Sequence, residues 1–527
     1  MTRCVLLFAA LLIIAPGAHA SSLPLVMLKP TGAGTRSSAM NDGYTALFSG
    51  DYDGAITHFN QAIDDDPKSP VAYLQRATAY QNKKDYDHAI ADANRAIALD
   101  PKFGMAYGTR AMFYYLKGDY AHAITDNTKG LQLNPTNTMR VYERGIAYLD
   151  SGDNAHAIAD FGRVLQPDAD AANGPDAAKI EDTSSSYGLA EIDMDGLRAN
   201  HYRGVAYLRM GDFFHAEGDF TAALKLDPKS TDDYLKRGAA RAGQGLRDAA
   251  LADYAQGLEI DPKDAEIYDE RGGLHLREHD LPPAIADFKK ALELSPRFTA
   301  AWNNLGLACN DAGDPDQAIA ALTQALQIDP TFAAAYYNRA LAYSAKGDFD
   351  GVIADETAAL KLTPDYASAY VNRANAYMAK REWDKAFADD VQALKLDPHE
   401  GAAYCTLGML YAAHGQDDNA LEQYDHAIRE FEQTHDPRLA TLHGNRAVVS
   451  MHRKDFVQAI RDLDEAVRLQ PGNRQWYDER GVAWAQRQDY AKAIADFKQA
   501  LVLNPDDKSA QANLAHAQAL ANSASPR

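Results

Sequence analysis

A proline returns every 34 residues along most of this chain. The series runs Pro67, Pro101, Pro135, Pro167, Pro228, Pro262, Pro296, Pro330, Pro364, Pro398, Pro437, Pro471 and Pro505; nine of its twelve intervals are 34, and the others are 32, 61 and 39. Most of these prolines close a phrase such as LDP, IDP, LNP or LTP. A fixed period of this length restricts the chain to one supersecondary unit stacked many times, each unit burying its apolar face on its neighbours. An ordinary chain of 527 residues divides into several globular domains. A stack of units escapes that limit, and its usual business is binding rather than catalysis.

One period shows what the unit is. With 299–332 numbered as places 1 to 34, Trp302, Gly306 and Cys309 fall at places 4, 8 and 11, and Ala318, Leu322 and Ala325 at 20, 24 and 27. Steps of four then three mark one face of an α-helix, twice. Between the two helices glycine holds place 15 in eight of thirteen units, where a left-handed residue turns one helix into the next. The proline follows the second helix because it cannot continue it.

Tyrosine recurs at place 4 (Tyr73, Tyr107, Tyr234, Tyr268, Tyr336, Tyr370, Tyr404, Tyr477), small residues hold place 8, and alanine holds place 20 in every unit but the one with Val352. In these respects the chain resembles the tetratricopeptide repeat family over 36–507. The resemblance implies an all-α fold: an α-solenoid of about thirteen 34-residue helix-turn-helix repeats forming a right-handed superhelix. It also implies a concave groove lined by the first helices, in which place 6 holds the backbone of an extended peptide.

A second regularity lies inside the period. Place 7 is arginine in ten units (Arg76, Arg110, Arg144, Arg203, Arg237, Arg271, Arg339, Arg373, Arg446, Arg480), and place 23 is aspartate in the same ten. Two units lose both charges together, with Leu305 and Ala321, then Leu407 and Gln423; the first unit has Asp42 and His58, a reversed version of the pair. Residues that keep step in this way predict an ion pair joining the two helices of each unit. Arginine suits a half-buried place because its fork grips a carboxylate with two hydrogen bonds.

The ends and breaks are legible too. Residues 1–20 read as a signal peptide: Arg3, an apolar run from Val5 to Ile14, Pro16-Gly17 and the small-x-small site Ala18-His19-Ala20. Cleavage after Ala20 places the mature chain, from Ser21, in the periplasm or outside the cell, and no later segment is apolar enough to span a membrane. A linker (21–35) leads to units one to four (36–169), a loop insertion (170–196), units five to thirteen (197–507), and a capping helix and tail (508–527). Five extra residues near Glu432 lengthen the second helix of unit eleven. The 20 residues after 507 are expected to hold no catalytic domain. Cys309 and Cys405 lie three units apart, too far for a disulfide.

The sequence carries little catalytic chemistry. It has no Walker loop, dinucleotide fingerprint, CxxC or HExxH, so no catalytic residue, metal site or cofactor is expected. A net charge of −21 argues against nucleic acid as a partner. His88, His122, His156 and His215 all hold place 19, but stacked units stand roughly 10 Å apart, so these rings cannot share a metal. The better signal is asparagine at place 6: Asn41, then Asn304, Asn338 and Asn372 in consecutive units, then Asn445. An amide offers a donor and an acceptor to a peptide group. With Asn303, Asn310, Tyr337 and Asn375 beside them, these residues form the expected peptide-binding stretch. The reading is a non-enzymatic envelope scaffold that binds a partner protein or peptide in its groove. The alternative is the non-catalytic arm of an envelope enzyme or polysaccharide-export complex.

Overall fold

The computed structural model of the protein describes residues 38–166 and 189–524. The signal peptide 1–20, the linker 21–35 and residues 170–188 of the insertion lie outside the described residues. The described residues form 27 α-helices, with no strand among them. The helices come in pairs at the spacing of the prolines. Unit eight, for example, is Thr299–Asp311 with Pro315–Ile328, and unit nine is Ala333–Lys346 with Phe349–Leu362. Two bodies are distinguished, one up to Leu274 and one from His275 onward.

Local chemistry sets the helix ends. An aspartate at place 16 caps many second helices; Asp314 Oδ1, for instance, accepts from the Gln317 backbone N–H at 3.0 Å. Just before that cap the chain turns through a left-handed residue in all thirteen units. Eight are glycines with φ of 69–86°, and the other five are Lys84, His279, Arg381, Lys454 and Gln488 with φ of 60–65°. Docking of the two helices therefore imposes the turn, and glycine merely avoids a strain of roughly 1 kcal/mol per residue.

Inside each pair, place 8 and place 24 face each other. Where place 8 is glycine, place 24 is large: Phe59, Phe161, Phe220, Tyr254, Phe288, Leu322, Tyr424 or Phe497. Where place 8 is alanine, place 24 is Ala93, Asn127, Glu356, Asp390 or Leu463. The reason is steric, since a Cβ added at Gly238 would stand 2.5 Å from Tyr254 Cε1. Gly238→Ala is expected to cost about 1–3 kcal/mol through overpacking. Adding Tyr254→Leu, which reproduces the Ala447–Leu463 combination, should recover part of that loss in urea melts. Equal stability of Gly238→Ala and the parent would show that the helices separate freely.

The breaks differ in detail from the expectation. The helix entering unit five spans Leu189–Arg209, so 189–196, expected in the loop, is helical. Leu189-Ala190-Glu191-Ile192 are good or fair helix formers, and their continuity with the following helix outweighs the acidic, glycine-containing look of the insertion. The extended second helix of unit eleven is Asp417–Thr434, ended by left-handed His435, and the last helix is Lys508–Ala524.

Candidate functional site

The arginine–aspartate pairs are seen in nine units. In each, arginine Nε and Nη2 donate to the two oxygens of the aspartate, as in Arg339–Asp355 at 2.8 and 2.7 Å. The aspartates are buried and the arginines partly so. The remaining nitrogen does something the sequence did not announce. Nη1 reaches back to the second helix of the preceding unit and donates to Asn60, Asn94, Thr128, Thr221, Thr323, Thr357, Asp425 or Asp464 at place 25. Where place 4 is tyrosine the guanidinium also lies over its ring, 5.8 Å from the ring centre for Arg339 and Tyr336. Eight of the nine arginines therefore tie three helices together; Arg203 is preceded at place 25 by Gly162, which has no side chain to accept. In unit one Asp42 accepts from Ser38 Oγ at 3.1 Å instead of pairing with His58, because the serine is four residues away on the same helix.

The first helices of successive units touch one another as well as their own second helices, which places them on the inner side of each stack. The predicted amides sit there, but they are not equivalent. Asn338 Nδ2 donates to Asn303 Oδ1 at 2.9 Å, and Asn310 Nδ2 donates to the Asn338 carbonyl oxygen at 2.9 Å. Asn303 is buried, and Tyr337 is buried against Tyr366. Asn372 Nδ2 donates to Glu356 Oε1 at 2.9 Å, and Asn375 Oδ1 accepts from Thr406 Oγ at 3.3 Å. Asn304 and Asn445 are half-buried, and Asn41 is exposed in the other body. Asn303, Asn310 and Asn338 are thus brought into one hydrogen-bonded cluster, whereas Asn372 and Asn445 stand in separate surroundings. Asn338 and Asn372 each keep one amide N–H and a carbonyl oxygen for another partner.

Several buried ionisable groups escaped the sequence reading. Glu356 and Asp390 are each 0% exposed at place 24, a core place, and Glu356 Oε2 and both Asp390 oxygens have no hydrogen-bond partner. Burial holds the Glu356 carboxyl well above the usual carboxylate range and pushes Asp390 up to about 9. Asn372→Ala would strand the Glu356 oxygen it now serves. A stability loss of about 1–3 kcal/mol is expected, read from denaturant melts. In the other body Arg140 and Glu143 form a buried pair, and His201 Nδ1 lies 2.7 Å from Asp233. Burial raises the Glu143 carboxyl despite Arg140 beside it. The available signal was a departure from pattern, because place 3 is usually alanine yet holds Arg140 and Asp233.

The histidine ladder has a local explanation. Each ring donates through Nδ1 at 2.7 Å to its capping aspartate (Asp85, Asp119, Asp153, Asp212) and stacks on the place-11 tyrosine at 4.9–5.1 Å. Cys309 and Cys405 are free. Among the described residues no cluster of His, Cys, Asp or Glu is placed to hold a metal ion, and no helix is long and apolar enough to cross a membrane.

Profiles of the tetratricopeptide repeat match residues 47–84, 70–103, 197–230, 299–332, 321–353, 405–474 and 452–508. The chain belongs to the tetratricopeptide repeat family. No curated protein matches it. Among solved structures, it is similar to the Cut9–Hcn1 assembly of the APC/C hetero-tetramer, at 17% identity over 92% of this chain and 96% of that one, with a TM-score of 0.47. It is similar also to yeast Tom70, at 18% identity over 92% and 95%, with a TM-score of 0.34. A third is YrrB, a TPR protein with an unusual peptide-binding site, at 22% identity over 35% and 95%, with a TM-score of 0.31. Tetratricopeptide repeat proteins generally serve as protein-interaction scaffolds and are typically non-catalytic.

Proposed function

We propose that this protein is a non-enzymatic scaffold of the cell envelope whose inner helices in units eight to ten hold an extended segment of a partner polypeptide. The observation that carries the reading is the row Asn304, Asn338, Asn372, one amide per unit on consecutive first helices of one body. Its register suits a chain lying along the stack. The Asn338 side chain is held by Asn303, so it has less rotamer freedom to lose on binding. The envelope location rests on the signal-like residues 1–20.

The test is recovery of partners from the envelope fraction with the parent chain and with the triple change Asn304→Ala, Asn338→Ala, Asn372→Ala. Each amide contributes about 0.5–1.5 kcal/mol, so the triple change should weaken binding by roughly 10- to 1,000-fold. Because Asn372 also supports Glu356, the control is Arg373→Leu, which loosens the same unit without altering the amides. A partner lost by the triple change and kept by the control supports the groove. A partner that binds the triple variant as tightly as the parent overturns it.

A further inference from the structure

In the units with the arginine–aspartate pair, the space between successive second helices is filled from within the chain. The arginine enters it, the place-23 aspartate grips it, and the preceding place-25 side chain accepts its last nitrogen in eight of the nine cases seen. A tyrosine holds place 11 in six of these units (Tyr80, Tyr114, Tyr148, Tyr207, Tyr343, Tyr377) and in unit eleven (Tyr411). Unit eight changes every one of these. Arginine becomes Leu305, aspartate becomes Ala321, the tyrosine becomes Cys309, and the preceding place 25 becomes Lys289. Unit eleven also lacks the pair but keeps Tyr411.

What results is a cleft of about 590 Å³ whose walls include Leu292, Trp302, Leu305, Cys309 and Ala321, with Lys289 at its edge. All of these residues belong to one body. Lys289 Nζ makes one long contact, 3.4 Å to Gln317 Oε1, and so has N–H groups to spare. The cleft lies between the second helices of units seven and eight, and none of the row Asn304, Asn338, Asn372 lines it.

The replacements specify the occupant. With the place-23 carboxylate gone, a guanidinium loses the two-oxygen grip it has in other units, and Lys289 at the edge offsets the one carboxylate that remains in the lining, Glu293. Beside the polar Glu293, Gln317 and Gln324, the lining offers Leu292, Leu305 and the indole of Trp302, which favour a flat ring. The edge has changed from a hydrogen-bond acceptor to a donor, so the ring should carry an acceptor. We infer that the outer cleft of unit eight receives a tyrosine side chain from a partner polypeptide, its hydroxyl oxygen accepting from Lys289 Nζ. The incoming ring supplies the residue type that seven other units provide for themselves.

The probes are N-acetyl-tyrosinamide, N-acetyl-phenylalaninamide and N-acetyl-argininamide, titrated into the full chain carrying 5-fluorotryptophan. Four tryptophans give four resonances, and Trp302→Phe assigns the relevant one. The tyrosine probe should move the Trp302 signal saturably and leave Trp383, Trp476 and Trp484 in place. The phenylalanine probe should bind about tenfold more weakly, and Lys289→Ala should reduce tyrosine to that level. The arginine probe should not bind. The variant Leu305→Arg, Ala321→Asp, Cys309→Tyr uses residues that fill the slot elsewhere in this chain, so it should fold and no longer titrate. Arginine binding as tightly as tyrosine would overturn the assignment, as would titration of the refilled variant or a Trp302 signal that stays still. A concentration-dependent Trp302 shift without peptide, matched by dimers in ultracentrifugation, would assign the cleft to a second copy of the chain instead.

Discussion

Arg339→Leu is expected to destabilise the protein by roughly 3 kcal/mol, and Asp355→Ala by a similar amount, because each strands a partner in a largely buried place. The pair itself is well made, with two hydrogen bonds at 2.8 and 2.7 Å and a third from Nη1 to Thr323 at 3.0 Å. The double change should cost far less than the sum. Leucine and alanine are the combination that unit eight already uses at these two places, as Leu305 and Ala321. The measurement is a double-mutant cycle by urea melts. Losses that simply add would show that the two side chains do not act together. A residual cost in the double variant is expected as well, since the arginine also holds the preceding second helix through Thr323.

The second large effect has the opposite sign. Asp390→Leu should stabilise the protein by about 1–3 kcal/mol, since it replaces a fully buried carboxyl without a hydrogen-bond partner by an apolar side chain. Leucine fits, because Ala374 opposite it corresponds to Ala447 opposite Leu463. The gain should grow with pH. Asp390 titrates at about 9 in the fold, pushed up first by burial and then by Asp389 and Glu400. An unfolded aspartate titrates near about 3.9. Between these values the native state holds a proton that the unfolded chain has released, so stability is fully present at low pH and is lost as pH rises toward about 9. Neighbouring groups add to the field: Arg373 holds Asp389, while Cys405 and Glu400 both sense Arg438. The parent should therefore weaken from pH 5 to pH 8 more steeply than Asp390→Leu. A gain that is the same at both pH values would mean that the carboxyl reaches water in solution.

The repeat places of the amides were legible in the sequence; what surrounds each amide was not, and the cause is clear. Asn338 and Asn372 occupy the same place in neighbouring units, and period alone treats them alike. Their surroundings differ because place 24 before them differs: Leu322 precedes Asn338, whereas Glu356 precedes Asn372 and takes its amide hydrogen. Asn303 looked like a second groove residue, yet it is buried and spends its oxygen on Asn338.

The sequence by itself determined the repeating unit, its two helices and the pairing of arginine with aspartate. Each of these is written in spacings of 3, 4, 16 and 34 residues, and a local or nearest-neighbour rule repeated thirteen times leaves little ambiguity. Tertiary packing settled what crosses from one unit to the next and what is enforced or sealed within a unit. In eight of the nine pairs seen the third arginine nitrogen reaches the preceding helix, the turn stays left-handed even at Lys84 or Gln488, and the carboxyls of Glu356 and Asp390 are sealed from water. These depend on which side chains stacking brings together and how far it excludes solvent. Hydrogen-bond geometry and desolvation fix both, and neither is carried by the period.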